Sequence, residues 1–327
     1  MEDPARRIRS VALRAASVAA AVAVLLLLLR GLDRASLGAA LRSADPWPIA
    51  AAALLNLVAN TWAKALRWKA LLAPLPGRAA PPKTRELAAL LLAGTAVSNV
   101  LPARAGEALR ALQLQRTGYS LAGMVAAQLL EKLVEVISMG SLALLALLSL
   151  RPGPLLATPL AISAAGSAGA IVLLLVLARL PPTAGPLEQQ RGLRGALHRL
   201  RENLALQLPP RVWLRSAGWS LASDLIDIAT VGLSLLALGL HLPAAGWVAV
   251  FITVNLAITV PSTPGQIGAV EASAVFALRA LGAGPAEALA AALVYHAVHL
   301  VPTTVAGALA LRQRPSRPES TSPGVRP

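Results

Sequence analysis

The sequence predicts an all-α protein, a polytopic transmembrane helical bundle interrupted by two re-entrant helical hairpins. Three observations carry this expectation. Of 327 residues, 56% are hydrophobic and only 14% charged, with a mean hydropathy of +0.64, a balance outside that of soluble domains. Apolar runs long enough to cross ~30 Å of hydrocarbon recur along nearly the whole chain. Two stretches, NVLPARAGEALR at 99–110 and NLAITVPSTPGQIGAVE at 255–271, set proline, glycine and a carboxylate inside lipid-like sequence.

Residues 1–10, with Arg6, Arg7 and Arg9, form a cytoplasmic N-terminal segment, and the membrane domain runs from 11 to 311. Its first span begins near Val11, with Arg14 snorkelling to the interface, and reads as retained because no small-residue cleavage site follows Leu29. A second span, about 48–73, ends in Lys64, Arg67, Trp68 and Lys69. Trp68 among these cations reads either as an interfacial anchor or as a contact to a lipid phosphate. Residues 74–86 are a Pro-rich basic turn. The arms on either side of Pro102, within 87–118, are each short for a crossing, which predicts a hairpin that enters and leaves on one side.

Two long helices follow, at 121–150 and 155–180, the first carrying Glu131, Lys132 and Glu135. Between 181 and 210 the chain becomes a basic loop in which Leu193, Leu197, Leu200 and Leu204 recur at helical spacing, the pattern of a helix lying on a membrane surface. A span at 213–240 holds Asp224 and Asp227, a second hairpin covers 247–281, and 286–311 closes the domain. The tail, 312–327, is rich in Arg, Pro and Ser and is expected to be a disordered cytoplasmic segment.

Basic residues orient this map. With both short-armed pairs drawn as hairpins, the N-terminus, the 74–86 turn, the 103–120 segment, the 181–210 loop and the tail share one side and hold 4, 3, 3, 4 and 4 Lys or Arg. The other side has Arg30, Arg34, Arg42 and Arg151. The crowded side is then cytoplasmic, with both termini there and the protein in the plasma (inner) membrane. The first hairpin enters from the cytoplasm and the second from outside, which suggests an inverted repeat of the kind used in alternating access.

The hairpins are also where the chemistry concentrates. Pro261 and Pro264 break the helix, and broken backbone at membrane depth needs protein or a water-filled cavity around it. Gly265 and Gly268 permit close backbone approach, and the helix restarting near Gln266 presents N–H groups suited to an anion. Pro102, Gly106 and Glu107 repeat the order of Pro264, Gly268 and Glu271. Arg104, Glu107 and Arg110 share a face, an internal pair plus one guanidinium for a phosphate. Glu131 and Glu135, at i and i+4, repel, so that either one is protonated or Lys132 or a distant arginine compensates, and Asp224 and Asp227 pose the same question. Ionisable groups at this depth cost ~2.5–3.5 kcal/mol each and mark function. Ser98, Ser262 and Thr263 suit helix caps or a headgroup contact.

Other classes are excluded on residue grounds. The net charge of +15 is spread beside apolar runs rather than gathered in a nucleic-acid motif, so no nucleic acid is expected, and anionic lipid explains it better. There is no cysteine, hence no disulfide or thiolate metal site. His296 and His299 lack further ligands at matching depth and read as hydrogen-bonding groups of the bundle. No cofactor signature, catalytic triad or phosphate loop occurs.

At these residues the sequence resembles the transmembrane region of lysylphosphatidylglycerol synthases and related stand-alone, flippase-like membrane proteins. The resemblance rests on Arg67 and Trp68, Asn99 with LPARAGEALR at 101–110, LLEKLVEV at 129–136, PSTPGQIGAVEA at 261–272 and the spacing of His296, Pro302 and Gly307, and covers about 10–311. It implies an inner-membrane protein that binds and translocates an anionic or aminoacylated lipid between leaflets. The lipid-binding residues would be Arg67, Asn99, Arg104, Glu107, Arg110, Glu131, Glu135, Ser262, Pro264, Gly265, Gly268 and Glu271. Gln266 stands where the family often carries glycine, and Glu135 where aspartate is commoner. With no aminoacyl-transferase domain after residue 311, lysyl transfer is not expected. An intramembrane transferase or hydrolase acting on a lipid phosphate, with Glu131 as base, and a non-transporting lipid-binding accessory of envelope biogenesis are the alternatives. The partner is a membrane phospholipid or other lipid phosphate, with a second copy of the chain or a separate lipid-modifying enzyme as further partners.

Overall fold

The computed structural model describes residues 33–77, 81–101, 105–179, 192–259 and 263–312, together with Ala23, Leu26 and Arg30. The first predicted span, the tail after 312, Arg104 and Ser262 therefore lie outside the described residues. Within them the chain is all helical. The elements are α1 (Arg34–Arg42), α2 (Pro46–Leu72), α3 (Thr84–Val100), α4 (Ala105–Gln115), α5 (Leu121–Leu150), α6 (Pro154–Arg179), α7 (Gly192–Gln207), α8 (Pro210–Leu236), α9 (Ala244–Ala257), α10 (Ala269–Ala280) and α11 (Pro285–Arg312).

Among the described residues, five helices are long and apolar enough to cross a membrane: α2, α5, α6, α8 and α11. Their starts are written locally. Asp45 caps α2 by accepting the Trp47 N–H at 2.9 Å, and Ser120 caps α5 through the Gly123 N–H at 3.0 Å, satisfying donors that the first turn leaves open. Pro46 and Pro210 occupy first-turn positions, where a missing N–H is harmless.

Four shorter helices, of which α9 is apolar, come in two pairs of short arms. At 1.5 Å per residue, α3 and α4, with 17 and 11 residues, reach ~25 and ~16 Å. α9 and α10, with 14 and 12, reach ~21 and ~18 Å. Each falls short of the ~30 Å hydrocarbon layer. α3 packs on α4, and α9 on α10. In the first pair the backbones touch: a Cβ added to Gly106 would lie 1.8 Å from the Gly94 carbonyl oxygen, so only glycine allows this approach.

Each pair sits in its own apolar core. Around α3 and α4 the core is built from Trp68, Leu71, Leu72, Met124 and Leu130. Around α9 and α10 it is built from Leu160, Phe251, Ile252 and Leu278. α5 contributes to both, and α11 packs along α3, α8 and α10. The basic-loop helix α7 packs on α5. Its inward face carries His198, Leu204 and Gln207, with Leu200 alongside, while Leu197 is exposed. The leucine stripe is thus only partly the packed face, because the contact with α5 selects a different sector of the helix.

Candidate functional site

The two cores leave a polar space between them, and the short-helix pairs meet across it. After α9 the chain makes a single 3-10 turn, Pro264–Gln266, with Gly265 at φ 60, Gln266 at φ 59 and Gly268 at φ 90. Left-handed backbone is what glycine provides without a Cβ penalty, and Gln266 adopts it where the resemblance puts a glycine. The turn packs on α3. A Cβ added to Gly265 would lie 3.3 Å from the Asn99 carbonyl, so the tips of the two pairs touch.

Beside this contact lies a cavity of ≈ 430 Å³ bordered by α2, α3, α4, α5, α9, α11 and the 3-10 turn. Arg67, Asn99, Glu107, Arg110, Glu131, Glu135 and Gly265 all line it. Residues separated by up to two hundred positions, chosen from sequence for one site, share one space. Pro264, Gly268 and Glu271 belong to the adjoining turn and cap rather than to the cavity wall.

Glu131 is the centre of the charged wall. Its Oε1 accepts from Arg67 at 2.6 Å and from the Trp68 indole N–H at 2.7 Å, and its Oε2 from Arg110 at 3.1 Å. Arg67 also donates to Ser220 Oγ at 2.9 Å and to Glu135 at 3.4 Å, and Lys132 lies 2.7 Å from Glu135. The Arg110 guanidinium stacks 4.2 Å over the Trp68 ring, a cation–π contact. Of the routes expected to relieve the repulsion between Glu131 and Glu135, distant arginines and Lys132 are both present. Arg110 reaches Glu131 on α5; the internal pair expected among Arg104, Glu107 and Arg110 involves Arg104, which lies outside the described residues. Trp68 is neither interfacial anchor nor phosphate contact: it is fully buried, because its N–H has a carboxylate partner inside the bundle.

The glycine turn differs from expectation in one respect. The Gly268 N–H is donated to Glu271 Oε2 at 2.6 Å, and the Gln266 N–H to the Thr263 carbonyl at 3.0 Å. These two donors are engaged within the protein itself, as a cap and a turn. Asn99 donates to Thr304 Oγ1 at 2.7 Å, tying the first tip to α11. His296 and His299 do hydrogen-bond inside the bundle, to Glu271 and Asp227.

A second polar cluster joins Lys64 and Asp227, both noted from sequence, to Asn56 and Asn60, which were not. Midway along α2 the helix widens into a π-helical turn, Leu55–Asn60, a feature that recurs at functional sites. Asn56, Asn60 and Lys64 then line the cavity in a row. Asn60 donates to Asp227 at 2.6 Å and to Asn56 at 3.0 Å, and accepts from Ser223 at 2.7 Å. Lys64 lies 3.6 Å from Asp227. The signal was present as polar residues four apart within an apolar span.

The sequence model of the family described as the lysylphosphatidylglycerol synthase TM region matches residues 14–307. No match was found among curated proteins.

Proposed function

Since the chain belongs to the family of the lysylphosphatidylglycerol synthase TM region, and is a multi-pass membrane protein with several apolar helices, we propose that it binds the headgroup of an anionic or aminoacylated lipid and moves it between leaflets. The observation that carries this reading is the polar cavity, which places Lys64, Arg67, Arg110 and Lys132 near Glu107, Glu131 and Glu135 beside the contact of the two short-helix pairs. Cations suit the phosphate, and carboxylates suit a cationic headgroup. Buried charge of this density inside a bundle marks a pathway for polar cargo.

In this reading the two pairs of short helices are re-entrant hairpins entering from opposite sides, the first from the cytoplasm. Rocking of one against the other about the tip contact exposes the cavity to each face in turn. The apolar spans on either side keep the acyl chains in lipid while the headgroup crosses. The protein sits in the plasma membrane with both termini in the cytoplasm.

The test is reconstitution into vesicles containing acyl-labelled phosphatidylglycerol, with an impermeant quencher added outside. The reading predicts quenching that continues beyond the outer-leaflet pool, with the label recovered on unchanged lipid. Quenching that stops at that pool contradicts it. A label recovered on a new lipid product identifies an intramembrane enzyme instead.

A further inference from the structure

α11 carries two histidines one turn apart, each set between a carboxylate on another helix and a backbone carbonyl. His296 has Nδ1 2.6 Å from Glu271 Oε1 on α10 and Nε2 2.9 Å from the Gly265 carbonyl at the second tip. His299 has Nδ1 3.0 Å from the Tyr295 carbonyl and Nε2 3.2 Å from Asp227 Oδ1 on α8. A neutral imidazole offers one N–H and one lone pair. A carbonyl only accepts, so the N–H faces Gly265 or Tyr295 and the other nitrogen faces a carboxylate oxygen. That second contact is attractive only with a proton between the two atoms. Each pair is therefore built to hold one proton between a ring nitrogen and a carboxylate oxygen.

Both histidines line the cavity. Each carboxylate also has a second partner that stays when the bridging proton leaves. Glu271 keeps the Gly268 N–H, and Asp227 keeps the Asn60 amide and Lys64. Loss of a proton is thus reversible locally, yet it changes what α11 is attached to. Opening the His296 bridge breaks the link from α11 to Glu271 on α10 while the Nε2 bond to the Gly265 carbonyl stays; opening the His299 bridge breaks the link to Asp227 on α8. The other groups around the two histidines are Tyr295 on α11 itself, whose ring lies 4.5 Å from that of His299, and Asp224, one turn from Asp227 on α8. Among the described residues, α3 supplies α11 with the uncharged Asn99, and no charged side chain of α1 or α3 bonds either histidine.

We propose that these bridges are proton-binding sites that couple headgroup movement to a transmembrane proton gradient, His299–Asp227 exchanging protons with the cavity and His296–Glu271 fastening the second hairpin to α11. In each cycle a proton leaves the nitrogen–carboxylate bridge for cavity water as the hydrogen bond opens. It is replaced from the opposite face as the bridge re-forms. No electron moves and no other bond changes. Intramembrane His and carboxylate pairs serve this role because their charge changes with one proton. The proposal rests on the reading of this protein as a lipid translocator.

The experiment uses the full chain in vesicles with acyl-labelled phosphatidylglycerol and a pH difference of one unit across the membrane. A carrier coupled to one proton drives the label toward one leaflet by up to about tenfold at steady state, and the asymmetry reverses with the gradient. His299→Gln and His296→Gln, which keep hydrogen-bonding groups but cannot hold the bridging proton, are expected to return that ratio to about one. His241→Gln, in an exposed loop, should respond as the parent does. A parent that moves lipid but distributes it identically with and without the gradient overturns the coupling and leaves translocation standing. Histidine variants that still accumulate lipid in one leaflet overturn the assignment of the sites. Lipid that does not move under any condition overturns both readings.

Discussion

Glu131 shows how one side chain organises the site. It is 2% exposed and is the common acceptor for Arg67, Trp68 and Arg110, which come from two other helices. Neutralising it leaves two guanidinium groups sharing a space with no central anion. Removing one partner of a buried ion pair costs about 3–5 kcal/mol, so Glu131→Gln is expected to lose stability of that order in detergent-based unfolding titrations. The Lys132–Glu135 pair is different, because the lysine side chain is 47% exposed. Lys132→Gln should cost less than about 1 kcal/mol. Equal losses for the two variants would mean that the Glu131 cluster is not the structural centre described here. At this scale the sequence was only half legible: helical spacing put Glu131 and Glu135 on one face, but which distant cations answer them is a property of packing between α2, α4 and α5.

Among the elements, the first short pair depends on glycine at its contact, as the spanning helices do at Gly140, Gly232 and Gly307, where an added Cβ would lie 2.2, 2.5 and 2.1 Å from a neighbour. Gly106 lies against the backbone of Gly94, whereas a Cβ on Gly218, in the middle of α8, would meet nothing within 4 Å. Gly106→Ala must push α3 and α4 apart, an overpacking change of typically 1–3 kcal/mol. Gly218→Ala should be neutral or stabilising by up to about 1 kcal/mol through helix propensity. The same unfolding titration reads both, and a tolerated Gly106→Ala would deny the close backbone contact. Here the sequence was largely sufficient. Proline and glycine inside apolar runs marked both helix breaks, and the long spans followed from length and hydropathy. The π-helical turn of α2 escaped notice because nothing in LNLVAN distinguishes a widened turn from an ordinary one, and the inward face of α7 was only partly legible because Leu200 and Leu204 of its leucine stripe pack inward while Leu197 is exposed.

For the whole molecule, the account joins two core-bounded halves whose short-helix tips touch beside one cavity. The orientation it assigns puts α7 in the cytoplasm and the start of α9 outside. The chain has no cysteine, so single cysteines report cleanly. Ala196 and Ala244 are both exposed. In intact cells, an impermeant thiol reagent should label Ala244→Cys and leave Ala196→Cys unlabelled until the membrane is opened, and the reverse pattern would invert the map. The convergence of Arg67, Arg110, Glu131 and Asn99 on one space was readable from motifs, and Lys64 and Asp227 stood out as ionisable groups, while Asn56 and Asn60, and their meeting with Asp227, emerged only from the fold that brings α2, α8 and α11 together. The most direct test of the central claim is the rate of labelled phosphatidylglycerol movement in vesicles containing Arg110→Ala beside the parent. Arg110 lines the cavity and holds Glu131 from the side of the first hairpin. If its guanidinium also meets the lipid phosphate, the loss of a charge-assisted bond worth ~1.5–3 kcal/mol should slow movement about ten- to a hundredfold, with lysine restoring only part of it. A folded Arg110→Ala protein that moves the lipid as fast as the parent would contradict the account.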